Sequence, residues 1–248
     1  MSALKSAVDQ IISAQIETQK PMAIILAGHN GSGKSTMWKR LLSDHLQMPL
    51  LNADRLMLSI LPEPLSDGAL VDWAKTLRDH NLDWMKVAQD GVKAFGAGAM
   101  QNKVPFATET VFSHWDEQPD GTIKSKIDTI KELQRSGYFV LLIFVGLSSK
   151  DLSILRVQQR VMQNGHDVDV EKLVNRFPRT QKAISHALHV TDASILTDNS
   201  LDEKSAFRLC RVQLGSDVTF DIRREAQKTP KVVSEWLDVV SPIVAPTI

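Results

Sequence analysis

"ILAGHNGSGKSTMWKRLL", residues Ile25 to Leu42, passes from an apolar strand end through a glycine-rich loop into an amphipathic helix. Gly28, Gly33, Lys34 and Ser35 satisfy GxxxxGK(S/T), the loop that wraps nucleotide phosphates. Gly28, Gly31 and Gly33 let backbone N–H groups converge on phosphate oxygens, and the helix start adds positive potential. Lys34 would reach the β- and γ-phosphates, and the Ser35 hydroxyl would face Mg²⁺. Asn30, Ser32 and Thr36 complete the nucleotide-binding loop. His29 and Asn30 fill variable positions and are expected to contribute backbone only. The loop says that a triphosphate is held, not what becomes of it.

Strands alternate with helices on both sides of this loop, and the strands are continuously apolar. The sequence predicts strands at Met22–Ala27, Pro49–Asn52, Val104–Thr108, Tyr138–Leu147 and Ala193–Leu196. It predicts helices at Ser2–Gln19, Lys34–Leu46, most of Leu65–Met100, Ile123–Gln134, Lys150–Met162 and Val170–His189. This pattern implies an α/β three-layer sandwich of the P-loop NTPase type, with a five-stranded, mainly parallel sheet. A polar hairpin at Arg208–Gln213 and Val218–Ile222 and a helix at Val232–Val239 would follow it. One domain over residues 1–248 is expected, with its core at about 22–200.

Composition narrows the class. Lys plus Arg and Asp plus Glu number 29 each in 248 residues, so net charge points to neither nucleic acid nor an anionic membrane. Cys210 is the only cysteine, which excludes an internal disulfide and fits a reducing compartment. Lys5, Asp9, Glu17 and Lys20 leave no secretory apolar segment, and no run is long enough for a membrane span. A cytoplasmic protein is expected.

A switch GTPase would carry Asn-Lys-x-Asp and Asp-x-x-Gly, and neither occurs; the single Asn-Lys pair, Asn102-Lys103, continues as Val-Pro. A motor or transporter ATPase would show an apolar strand ending in Asp or Asp-Glu, yet "FVLLIFVG" ends in Gly146. Carboxylates sit at two other strand ends. Asp54 follows the second predicted strand and Glu109-Thr110 the third, at the edge where an open parallel sheet binds ligands. Asp54 could accept a hydroxyl proton beside a γ-phosphate, or it could cap the helix that begins near Arg55. Glu109 could face substrate or be a solvated loop acid. Arg156 and Arg160 lie four apart on one helix, and Arg176 follows on the next, where a kinase lid would place its guanidinium groups. Each could equally belong to a solvated basic face. Trp73, Trp84 and Trp115 at helical positions suggest core, and His166 a turn.

"GHNGSGKST", "LLNADRL", "FATETVFS", "RVQQRVMQNGHDVDVEKLVNRFPRT" and "ILTDNS", in this order, resemble the zeta-toxin family of P-loop kinases over about Met22 to Ser200. The resemblance implies ATP- and Mg²⁺-dependent phosphorylation of UDP-N-acetylglucosamine at a sugar hydroxyl, restrained by a small antitoxin protein. It implies Lys34 on the ATP phosphates with Arg156 at the nucleotide, and Asp54 as general base. Glu109 and Thr110 would position the sugar, while Arg160 and Arg176 would stabilise the transferred phosphoryl group. Two positions depart from the pattern. Where the founding toxins read Glu-Gly-Thr this chain reads Glu109-Thr110-Val111, and their acidic pair at strand two is Asn52 and Asp54. The chromosomal branch fits better than the founding toxins. Two other readings remain: a kinase of another metabolite or of a polynucleotide end, and a nucleotide-binding module that transfers nothing.

Overall fold

A continuously apolar strand needs cover on both faces, and the fold supplies it. The computed structural model describes residues 3–226 and 228–243. Helix α1 (Ala3–Thr18) precedes β1 (Met22–Gly28). The helix after the phosphate loop runs as α2 (Lys34–Met37), a π-helical turn (Trp38–Leu42) and α3 (Ser43–Leu46). Next come β2 (Leu50–Leu51), α4 (Ala53–Leu58), α5 (Asp72–His80), α6 (Leu82–Gln101) and β3 (Phe106–Thr110). A small hairpin, β4 (Trp115–Glu117) and β5 (Ile123–Ser125), leads to α7 (Ile127–Arg135) and β6 (Phe139–Gly146). Then follow α8 (Lys150–Met162), α9 (Val170–Ala187), β7 (Ala193–Asp198), β8 (Arg208–Leu214), β9 (Asp217–Asp221) and α10 (Lys231–Val240).

The main sheet has seven strands in the order β2-β3-β1-β6-β7-β8-β9. Strands β2, β3, β1, β6 and β7 are parallel, as expected, and β8 and β9 add antiparallel to β7. The hairpin expected at Arg208–Gln213 and Val218–Ile222 is present as β8 and β9, but it pairs with β7 through β8 and extends the expected five-stranded sheet to seven strands. Arg211 and Gln213 are in fact buried, and Gln213 Nε2 donates to the carbonyls of Leu188 and Gly215 at 3.0 and 2.6 Å. A buried Gln213 is tolerated because it is hydrogen-bonded, and polar residues at buried positions disguise a core strand.

Two apolar layers cover the sheet. One joins Ile25, Ala27 and Phe144 to Ile130, Ile184 and Trp236; the other joins Ile24, Leu26 and Ile143 to Val8, Ile11 and Trp38. Strands β1 and β6 are buried at every position, so they fix the middle of the molecule.

Other boundaries moved. The helix expected from Ile123 begins at Ile127, because Asp120 and Gly121 (φ 80) turn the chain into β5. There the Thr122 N–H donates to the Asp120 carboxylate at 2.9 Å. The first helix starts at Ala3, and Ser2 lies outside the described residues, as do 227 and 244–248. Trp115 is buried and Trp84 half-buried, but Trp73 is 60% exposed and is not core.

Helix α10 is pinned to the back of the site. Trp236 Nε1 donates to the buried Asp198 carboxylate at 2.9 Å, and its ring meets Phe144 edge-on at 5.8 Å. Trp236→Phe keeps much of the ring contact and removes one hydrogen bond to a buried charge. Urea unfolding should show a loss of roughly 1–3 kcal/mol with little change in m-value; an unchanged midpoint would mean that the bond contributes nothing.

Candidate active site

Strand β1 delivers the phosphate loop to the carboxyl edge of the sheet, and neighbouring elements hold it from three sides. Gly33 opens α2 at φ 88, in the left-handed region that favours glycine, and a Cβ there would lie 2.7 Å from Asn199 Nδ2. Asn199, just beyond β7, donates to Ser32 O at 2.9 Å, and Ser153 of α8 donates to Asn30 O at 2.7 Å. On the third side the His29 ring stacks on Phe177 of α9, with centroids 3.9 Å apart and planes 11° apart.

His29 therefore does more than supply backbone. Its ring is buried, and burial, with the Lys34 charge beside it, lowers its pKa to about 3. It is neutral at physiological pH and acts as an aromatic plug between loop and helix. The side-chain oxygens of Ser32 and Asn30 are buried with no hydrogen-bond partner among the described residues.

Lys34 is buried as well, and its Nζ donates to Gly28 O and His29 O at 3.1 and 2.9 Å. Burial lowers its pKa and Arg160 pushes the same way, against the pull of Glu109 and Asp54. These four residues come from the phosphate loop, α8, β3 and α4, and they share one electrostatic neighbourhood.

Strand register accounts for Glu109. Parallel pairing sets Glu109 beside Leu26 and Thr110 beside Ala27, one step from the loop. The Ser35 hydroxyl donates to Glu109, lying 2.7 and 3.0 Å from its two carboxylate oxygens, and Asn52 Nδ2 donates at 2.7 Å. The Thr110 hydroxyl accepts from Phe112 N–H at 3.3 Å. Thr36 is exposed on the first turn of α2.

Asn52 also settles the capping question. Its Oδ1 accepts from Arg55 N–H at 3.0 Å, so Asn52 is the N-cap of α4. Asp54 lies one residue inside the helix, exposed, with its carboxylate free of the capping role.

The arginines divide. Arg160 is half-buried, and its Nη2 donates to His166 O at 2.6 Å; burial lowers its pKa, against the pull of Asp54 and Asp167. Arg156 packs its Cβ about the phosphate loop near Gly31, within the field of Asp198. Arg176 shares a small recess with His29, Asn30, Ser153 and Phe177. Arg179 donates to Trp115 O at 2.7 Å and so serves the β4–β5 hairpin.

The donor set suits Mg²⁺. Ser35 and Glu109 bring hard oxygens together at the mouth of the loop. Among the described residues no cluster of three or more His, Cys, Asp or Glu could hold a metal alone. The protein oxygens would therefore hold the ion together with phosphate oxygens.

No protein-family model matches the chain. No curated protein sequence matches it either. Solved structures do. A chain of the AvrRxo1-ORF1:AvrRxo1-ORF2 complex with sulphate ions superposes with a TM-score of 0.60 at 12% identity, over 99% of this chain and 72% of that one. The same complex with ATP gives 0.59 at 13% identity, over 94% and 68%. A chain from the PezAT chromosomal toxin-antitoxin system of Streptococcus pneumoniae gives 0.52 at 12% identity, over 97% and 89%. The fold is theirs. At these identities it is the arrangement of helices and strands that is shared.

Several residues of the site escaped sequence reading. Asn199 lies in "ILTDNS", yet nothing in the string reveals that it grips the loop. In the sequence Asn52 reads only as a missing acid. Ser153 and Phe177 carry no local signal, since each acts on a partner more than a hundred residues away in the chain.

Lys34→Ala should abolish most of the rise in melting temperature that Mg-ATP produces, because the buried ammonium is the loop's own counter-charge. An undiminished rise would overturn the loop assignment. The neutral His29 sets an acid limit: the unfolded chain takes up a proton below pH 6.5 that the buried ring refuses until about pH 3. His29→Phe keeps the stack, so its stability should fall less between pH 6.5 and about 4.5 than that of the wild type. Equal losses in denaturant titrations would show that another group sets the limit.

Proposed function

We propose that the protein is an ATP-dependent phosphotransferase that moves the γ-phosphate to a hydroxyl of a small molecule. The observation that carries this reading is the Glu109 carboxylate at the end of β3, which takes the Ser35 hydroxyl at 2.7 Å at the start of the helix after the loop, where Lys34, Arg160 and Asp54 share its electrostatic neighbourhood. A nucleotide-holding module needs the loop and its lysine. It has no need of a carboxylate set on the loop's serine or of a second one left free of helix capping.

In this mechanism the loop amides and Lys34 hold the β- and γ-phosphates, and Arg156 lies along the nucleotide. Asp54 accepts the proton of the attacking hydroxyl as its oxygen closes on the γ-phosphorus, while the bond from that phosphorus to the β–γ bridging oxygen breaks and ADP leaves. Negative charge then spreads over the equatorial oxygens, and the guanidinium groups of Arg160 and Arg176 neutralise it. Mg²⁺ beside Ser35 would offset charge between the phosphates. Glu109 orients the Ser35 hydroxyl, and Glu109 and Thr110 border the acceptor side.

The acceptor we propose is a nucleotide sugar of the UDP-N-acetylglucosamine kind, on the zeta-toxin resemblance of the ordered motifs. That resemblance and the likeness to the PezAT structure support a toxin role with an antitoxin protein as partner. Equal numbers of acidic and basic residues argue against a polynucleotide acceptor. Among the described residues no helix is long and apolar enough to cross a membrane, which fits the proposed place in the cytoplasm.

Asp54→Asn tests the mechanism with one isosteric change, and Asn52 keeps the helix capped. Folding and Mg-ATP binding should persist, while transfer to UDP-N-acetylglucosamine, followed by mass spectrometry, falls by about two to four orders of magnitude. Transfer at the wild-type rate would remove Asp54 as the base.

A further inference from the structure

Arg160 owes its direction to the turn that follows it. Helix α8 ends at Met162, and Asn164 (φ 61) closes it in the left-handed conformation. Gly165 N–H donates to Arg160 O at 2.9 Å and Asn164 N–H to Val161 O at 3.0 Å, the paired bonds of a Schellman closure. The guanidinium is held by the same turn, through Nη2 donating to His166 O at 2.6 Å. A Cβ on Gly165 would lie 2.4 Å from Arg160 Cγ, so the turn packs directly on the side chain.

A second element grips this turn from outside. Arg78 of α5 is buried, and its Nη1 donates to Asn164 O at 2.9 Å while Nη2 reaches Gly165 O at 3.5 Å. Its Nε and Nη2 also form a two-pronged pair with Asp79, at 2.7 and 2.8 Å. Asp79 Oδ1 in turn lies 3.1 Å from His166 Nδ1. Burial would push the Asp79 carboxyl up, but hydrogen bonds from Arg78 and His166 hold it below its ordinary value, so it stays charged. Buried ion pairs of this kind add little net stability and are best attested as devices that fix geometry.

We propose that Arg78 and Asp79 are positioning residues for phosphoryl transfer, latching α5 onto the Asn164–His166 turn and thereby fixing where the Arg160 guanidinium is held. The inference rests on the transfer role given to Arg160 above. Its logic is preorganisation: a guanidinium already aimed at the site needs no reorganisation when charge develops, and a misplacement of about 1 Å is enough to slow a reaction a hundredfold. Arg160 Nε is buried with no partner among the described residues, so the bond to His166 O carries much of its orientation. The latch also joins the α4–α5 segment, packed through Leu61, Leu70 and Ala74, to the end of α8. One side of the site thus reports its position to the other.

Arg78→Lys keeps the charge and loses the fork, and Asp79→Asn keeps the shape and loses the charge, so one remains usable if the other folds poorly. Amide hydrogen exchange at Asn164 and Gly165 should quicken by about tenfold or more in either variant, with the α2–α3 helix unchanged. With Mg-ATP and UDP-N-acetylglucosamine as probes, kcat for γ-phosphate release should fall about ten- to a hundredfold while KM for ATP holds. Adding either change to Arg160→Ala should cost nothing further, since the latch acts through that side chain. Wild-type exchange in the turn, or losses that multiply in the double variant, would overturn the latch. Arg160→Ala alone keeps the two failures apart: undiminished release in that variant overturns the transfer role of Arg160 itself.

Discussion

Strand β1 is buried along its whole length between β3 and β6, and every group of the site is placed relative to its carboxyl end. Parallel pairing converts that burial into position. The register with β3 sets Glu109 and Thr110 beside the last residues before the loop, and β6 sets Val145 beside Gly28. A slip of one residue would turn the apolar side chains of the strand to the wrong layers, so the core protects the site's geometry.

The loop leaving that strand is held by contacts whose chemistry suits a rigid anion cradle. Asn199 and Ser153 hold two of its carbonyls from outside, and the Ser32 N–H donates to His29 O at 3.2 Å within it. The His29–Phe177 stack adds an apolar brace, and burial keeps that imidazole uncharged, so it does not compete with Lys34 for the same anion. Behind the loop, Asp198 takes hydrogen bonds from Trp236 and Ser200, tying α10 to the end of β7. The scaffold therefore reaches the loop from strands, helices and the C-terminal helix alike.

Charge is balanced within the site as it is over the molecule. Lys34 and Arg160 are partly or wholly desolvated and repel each other, while Asp54 and Glu109 offset that cost. Such an arrangement is expensive in water-free surroundings and favourable once polyanionic phosphate enters. Stability is exchanged for a preformed electrostatic field, as is common where perturbed groups cluster in a cleft.

The sequence alone determined the phosphate loop, the five parallel strands and the span of α8, because glycine spacing, unbroken apolar runs and helical periodicity are local signals. It set Asp54 and Glu109 just beyond two strands, whereas Asp54 lies in the first turn of α4 and Glu109 is the penultimate residue of β3. It misjudged β8, whose buried Arg211 and Gln213 look like surface until their partners are seen, and it missed β4 and β5, which are only three residues each. Only the tertiary structure decided that Ser35 and Asn52 both turn to Glu109, and that Arg78 reaches the turn after Arg160. Each of these joins residues that the chain brings together only by folding. A hydrogen bond between positions 86 residues apart leaves no trace in periodicity or composition, and its geometry exists only once both elements are packed.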